Sequence, residues 1–188
     1  MVEKSGNILP AGPLMIEHRL IERMIAVIRK EAEHLEAGSE LNTLFIKKAV
    51  DFIRTYADKC HHGKEEDILF KELLKKELSG EHFRMVNQLI AEHKYGRKTL
   101  KELEEAGDRY GKGDKKAKAD ALNGMKALAA FYPNHIEKED KHFFLPCMDY
   151  FSREEKDNML EEFRKFDAAL IHGKYRAVVK QMEESRNV

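Results

Sequence analysis

The chain has 188 residues, 36% of them charged, with Lys+Arg and Asp+Glu equal at 34 each. That length allows one domain with a substantial core. The zero formal net charge offers no basic surface for nucleic acid or an anionic membrane. Low Gly and Pro content among Ala/Glu/Lys/Leu/Arg-rich runs favours helices, and nine His point toward metal or proton chemistry.

Residues 1–12, broken by Gly6, Pro10 and Gly12, read as a loose N-terminal arm. Pro13 suits the first turn of a helix. From there Leu14, His18, Ile21, Ile25, Ile28, Ala32 and Leu35 recur at alternating spacings of four and three, a bundle seam that turns His18 inward and ends at Gly38. A second helix is expected to open near Ser39. Its stripe runs through Ile46, Val50, Ile53, Ala57, His61, Glu65 and Ile68. Gly63 inside it costs about 1 kcal/mol relative to Ala and marks a break or kink.

Ser79 is the N-cap expected for a third helix, which carries Val86, Leu89, Ile90 and His93 on one face, with residues 107–113 as the following turn. The fourth helix carries Leu122, Met125, Leu128, Ala129, Tyr132, His135 and Glu139. Pro133 should kink it, and Pro146 should end it. Ser152-Arg153-Glu154-Glu155 is a capping box opening a fifth helix, and residues 173–185 form a short last one. No segment alternates with period two. The expected fold is all-α: four main helices over 13–150, with a helical C-terminal extension over 151–188 packed on them.

Cys60 and Cys147 do not make a disulfide framework and read as buried thiols of a reducing compartment. No apolar run approaches the ~20 residues needed to span a membrane. The first residues lack a hydrophobic signal core. A soluble, cytoplasmic protein is expected.

The chemistry lies in a motif stated twice. His61-His62-Gly63-Lys64-Glu65-Glu66 matches His135-Ile136-Glu137-Lys138-Glu139-Asp140 as His-x-x-Lys-Glu-acid, and each is followed by an apolar pair, Leu69-Phe70 and Phe143-Phe144. A His and a Glu four apart leave the same helix face about 6 Å apart. With His18 and His93 on the other two seams, the candidate metal ligands are His18, His61, Glu65, His93, His135 and Glu139. Inward carboxylates need a cation or a proton, and two carboxylates bridging two divalent metals meet that need. Any one of these His taken alone is more often a packed core residue, and a lone His-x-x-x-Glu usually lies on a solvated face; the argument rests on the set. His62 with Glu66 is the competing register, less favoured because His61 continues the apolar stripe. Glu22, four after His18, is a further candidate ligand. Tyr56 and Tyr132 lie near the two pairs, and His34, His82, His142 and His172 read as bystanders.

Glu17-His18-Arg19, Glu92-His93 and the His135–Asp140 segment resemble the helix motifs of the hemerythrin-like (HHE cation-binding) family, over about residues 13–150. The resemblance implies an up-down-up-down four-helix bundle holding two non-haem iron ions, with other divalent metals as alternatives. Glu65 and Glu139 would bridge the irons, and the four His would be terminal ligands. It implies a protein that binds or senses dioxygen or a related small molecule, nitric oxide or peroxide. The alternatives are a di-iron enzyme reducing peroxide or nitric oxide, and a metal-stabilised interaction module. Oxygen-carrying members place two His four apart on the third helix, whereas Leu89 and Arg97 flank His93 here, so one imidazole fewer is expected. Glu139 also stands four after its His, where the carriers have an Asp five after. Both departures favour a reactive or sensing centre over reversible carriage.

Overall fold

The structure is a computed structural model that describes residues 8–167 and 171–186, with residues 171–174 described in backbone only. Its helices are α1 (Ala11–Glu36), α2 (43–73), α3 (Gly80–Gly111), α4 (117–147), α5 (Arg153–Asp167) and α6 (Ile171–Glu184), with no strand among the described residues. Most of the expected caps form. Ser79 Oγ accepts from the His82 N–H at 3.1 Å. Ser152 Oγ accepts from the Glu155 N–H at 3.2 Å while Glu155 Oε2 accepts from the Ser152 N–H at 2.8 Å, closing the capping box.

Several boundaries differ from the sequence reading. α1 begins at Ala11, so only residues 8–10 of the expected arm precede it among the described residues. α2 opens at Thr43 rather than near Ser39, because Asn42 Oδ1 accepts from the Phe45 N–H at 3.0 Å. α3 runs through Gly107, where the missing side chain admits Ile46: a Cβ would stand 3.0 Å from its Cγ2. The turn that follows uses Gly113 at φ +102, a left-handed conformation that glycine adopts without penalty.

α2 and α4 are not uniformly α-wound. Ile53–His62, Glu65–Phe70 and Glu139–Phe143 are π-helical. The chain does not break at Gly63, whose N–H reaches back to the Asp58 carbonyl. The wider π turn rotates successive side chains by less than the roughly 100° of an α-helix, which matters where neighbours must share a face. Pro133 lies within α4, and the Ala129 carbonyl that its ring leaves without an N–H accepts from Arg29 Nη2 at 3.2 Å.

The apolar core is split in two. One cluster holds Leu20 to Leu35 of α1, Phe45 to Ala57 of α2, Leu100 to Tyr110 of α3, and Ala117 to Ile136 of α4. The other holds Leu14 of α1, Ile68 to Leu73 of α2, Val86 and Leu89 of α3, and Phe143 and Phe144 of α4. α5 adds Met159 and Phe163 to the second cluster, and α6 adds Tyr175, Val179 and Met182 to the first. In each of the first four helices the chain passes from one cluster to the other through a buried polar stretch, and those stretches form a layer between the two cores.

Candidate metal centre

The layer consists of His18, His61, His62, Glu65, His93, His135 and Glu139, every one of them at most 2% exposed. They fall into two groups. His18, His61, Glu65 and Glu139 bring ligand atoms within 4.8 Å of one another, and so do His62, His93 and His135. The two groups adjoin: Glu65 lies 3.4 Å from His61 Nε2 through one oxygen and 3.4 Å from His93 Nε2 through the other. Glu139 lies 3.2 Å from His18 Nε2 through Oε2 and 3.3 Å from His135 Nε2 through Oε1. Each carboxylate therefore faces both groups.

Most of these atoms lack a hydrogen-bond partner within the protein. Both oxygens of Glu65, both of Glu139, His93 Nε2, His135 Nε2 and His62 Nδ1 are buried without a hydrogen bond. Buried polar atoms are nearly always satisfied, and a buried carboxylate without a counter-charge costs several kcal/mol, of order 3–5 by the cost of breaking a buried pair. The nitrogens His18 Nε2 and His61 Nε2 point at each other across 2.8 Å. Imidazole and carboxylate donors converging from four helices fit a cation site and leave little that hydrophobic packing alone would retain.

Electrostatics follows from that crowding. Burial pushes Glu65 well above the usual carboxylate range, and the nearby Glu139 charge adds to the push. Burial acts the same way on Glu139, but the surrounding His135, His18 and His93 imidazoles outweigh it and hold this carboxylate ionised. Burial would lower His18, yet its hydrogen bond to Asp140 and the adjacent Glu139 charge raise it to about 9. His61 goes the other way, down to about 4, through burial and the charge of His18.

Behind the layer lies a second ring of carboxylates. Because a carboxylate only accepts, each Nδ1 facing one must be the donor. Glu17 Oε2 accepts from His61 Nδ1 at 2.9 Å, Glu66 Oε1 from His93 at 2.6 Å, Glu92 Oε2 from His135 at 2.9 Å, and Asp140 Oδ1 from His18 at 2.7 Å. These bonds aim each Nε2 at the interior, where it can take a metal in place of a proton, the arrangement that orients metal-binding imidazoles. Each carboxylate is in turn held by a cation: Glu17 by Lys64, Glu66 by Arg97 at 2.7 Å, Glu92 by Lys138, and Asp140 by Arg19. The lysine of the repeated motif thus returns to the carboxylate that holds its own helix's histidine, Lys64 for His61 and Lys138 for His135. The apolar pairs shield the layer: Phe70 stacks on His93 with ring centroids 6.0 Å apart, and Phe144 on His18 at 5.6 Å.

The six sequence candidates all lie in the layer. The reading that His61 and His62 are competing registers is corrected, since both are inside: His62 stacks on His93 at 3.9 Å. The layer holds five imidazoles where four were expected, because His62 on α2 adjoins the group that His93 enters from α3. Glu66 does not enter the layer but supports His93. Glu22 pairs with Arg19 at 3.0 Å on the surface and is not at the centre. His34 and His142 are exposed, and His82 hydrogen-bonds the Tyr150 hydroxyl at 2.9 Å. Tyr132 is buried edge-on to His135, its ring centroid 6.4 Å away. The supporting role of the four carboxylates escaped the sequence reading, although each is a direct neighbour in sequence of a residue in the layer.

Comparison with known proteins bears on the same span. The profile of the hemerythrin HHE cation binding domain matches residues 11–145. Uncharacterised proteins of Mycobacterium bovis and Mycobacterium tuberculosis are 24% identical to the chain over 150 residues, 80% of its length. The chain spans 58% of the length of those relatives. No solved structure matches it significantly. No described helix is long and apolar enough to cross a membrane. With the whole polar layer falling inside the matched span, and with the donors of a cation site, the chain belongs to the hemerythrin HHE cation-binding family.

Proposed function

We propose that this protein is a non-haem di-iron protein that binds or senses dioxygen or a related small molecule such as nitric oxide or peroxide. His18 and His61 would hold one ion and His62, His93 and His135 the other, with the Glu65 and Glu139 carboxylates within reach of both groups. The observation that carries this reading is the pair of fully buried carboxylates whose oxygens have no hydrogen-bond partner and face both imidazole groups. The alternation of the two core clusters along successive helices supports an up-down-up-down bundle around the centre, with residues 151–188 as an extension upon it. Two buried free thiols, Cys60 and Cys147, suit a reducing cytoplasmic setting.

Bound iron would supply two electrons and open coordination positions for the small ligand. The two groups are unequal, two imidazoles against three, so the His18/His61 side has fewer protein donors and is where we place ligand binding. The residues of this chain orient the imidazoles, through Glu17, Glu66, Glu92 and Asp140, and exclude bulk water, through Phe70 and Phe144. The same asymmetry supports a second reading, an enzyme that reduces peroxide or nitric oxide at this side.

Metal content of protein purified without oxygen, followed by an optical spectrum on admitting air, tests the proposal. About two irons per chain, and a new charge-transfer band with air, nitric oxide or peroxide, are expected. Absence of stoichiometric metal after reconstitution would overturn it. Catalytic turnover of peroxide or nitric oxide by iron-loaded protein, lost in Glu139→Ala, would select the enzyme.

A further inference from the structure

The two copies of the motif differ in what covers their lysines. Lys138 is 22% exposed, whereas Lys64 is fully buried. The cover is α5. Phe163 lies beneath the Lys64 ammonium, whose nitrogen is 5.8 Å from the ring centroid. Phe166 packs on the backbone of Gly63, where a Cβ would stand 3.0 Å from its Cε1, so the absent side chain lets the end of α5 seat directly beside His62 and Lys64. At that end Asp167 Oδ1 accepts from Lys64 Nζ at 2.7 Å and from Cys60 Sγ at 3.3 Å.

We propose that Asp167 is a positioning residue for the metal centre, acting on His61 through Lys64 and Glu17. The chain of contacts is continuous: Asp167 fixes the Lys64 ammonium, Lys64 fixes Glu17 Oε1, and Glu17 Oε2 holds His61 Nδ1. The equivalent support on the other copy, Lys138–Glu92–His135, faces solvent instead of α5. The C-terminal extension is thereby part of one half of the centre and not the other. Glu17, Cys60 and Asp167 also stand close enough together to suggest a third cation site, but Lys64 Nζ already bonds both carboxylates, so the cation of that site is the lysine itself.

The inference rests on the proposed metal centre, and the experiment separates the two. Apoprotein of the full chain is titrated anaerobically with Co2+ alone and followed by its visible bands. Wild type is expected to take up two equivalents. In Asp167→Ala one equivalent should bind about tenfold more weakly with altered bands, the other staying unchanged, and Asp167→Glu should restore it; support of this kind is typically worth 10–100-fold in affinity. Unchanged affinities and bands in Asp167→Ala would overturn the inference while leaving the centre standing. Equal weakening of both equivalents, with a lower apoprotein melting temperature, would also overturn it by assigning Asp167 to general packing. No Co2+ uptake by wild type would overturn the centre and the inference together.

Discussion

Asp140 accepts from His18 Nδ1 at 2.7 Å although it sits beside Glu139 on α4. This contact closes a ring. Glu17 on α1 supports His61 on α2, Glu66 on α2 supports His93 on α3, Glu92 on α3 supports His135 on α4, and Asp140 on α4 returns to α1. Every support comes from a different helix than the imidazole it orients. The four helices are therefore tied into one register by the same bonds that aim the imidazoles, and a shift of any helix misaligns a histidine on the next.

Removing one member of the ring should cost metal affinity more than fold stability. In Glu66→Ala, His93 loses its acceptor and Arg97 one of its two carboxylate partners. Metal affinity should fall 10–100-fold. Glu137→Ala, which breaks only an exposed pair with Lys141, should leave both affinity and melting temperature unchanged. Competition with a chelator measures both affinities, and equal affinities for the two variants would refute the role of the ring.

His62→Ala tests the corrected assignment. If His62 completes the group of His93 and His135, the variant should bind one metal ion much more weakly than the other, and tightly held metal should fall from about two per chain toward one. The exposed His142→Ala is the control. Metal analysis after gel filtration reads the difference; an unaltered content in His62→Ala would return His62 to the role of a packed core histidine.

The six ligand candidates could be found in the sequence because α-helical seams and i,i+4 spacing place them on one face: His18, His93 and His135 lie where the helix is α-wound, and Glu65 and Glu139 each open a π segment. His62 could not. At α-helical pitch, adjacent residues diverge by about 100°, so His61 and His62 read as rivals. The π winding over Ile53–His62 turns both inward, and no residue pattern announces that winding in advance. The supports were invisible for another reason: Glu17, Glu66, Glu92 and Asp140 look like ordinary helix charges, and their partners are cross-helix. Gly107 was misread because glycine signals either a turn or a close approach, and only the position of Ile46 decides.

That close approach has a measurable consequence. In Gly107→Ala the new Cβ would stand 3.0 Å from Ile46 Cγ2 and 3.2 Å from Cδ1, inside the core between α2 and α3. Alanine gains about 1 kcal/mol of helix propensity over glycine, while overpacking costs about 1–3 kcal/mol. The net change should be a destabilisation of about 1 kcal/mol, lowering the melting temperature by roughly 2–4 °C for a chain of this size. A higher melting temperature would show that Ile46 yields freely. Metal affinity should not change, because Ile46 belongs to the first core cluster and not to the polar layer.

The metal-free protein should hold a proton where the metal goes. His18, raised to about 9, is protonated at neutral pH, and His61, lowered to about 4, is not. Against the usual imidazole value of about 6.5, the raised His18 contributes stability that is complete below about 6.5 and lost as pH rises through about 9. The lowered His61 contributes stability that is complete above about 6.5 and lost as pH falls toward about 4. These two groups alone give metal-free protein a stability maximum near pH 6.5. Metal binding must displace the His18 proton, so affinity should rise between pH 7 and 9 by up to about tenfold per unit, with proton release on binding. Calorimetry of metal uptake in buffers of different ionisation enthalpy counts the protons, and imidazole NMR of the metal-free chain should show one ring titrating near 9 and another near 4. Uptake without proton release, at an affinity constant from pH 7 to 9, would show that the facing Nε2 atoms of His18 and His61 do not share a proton.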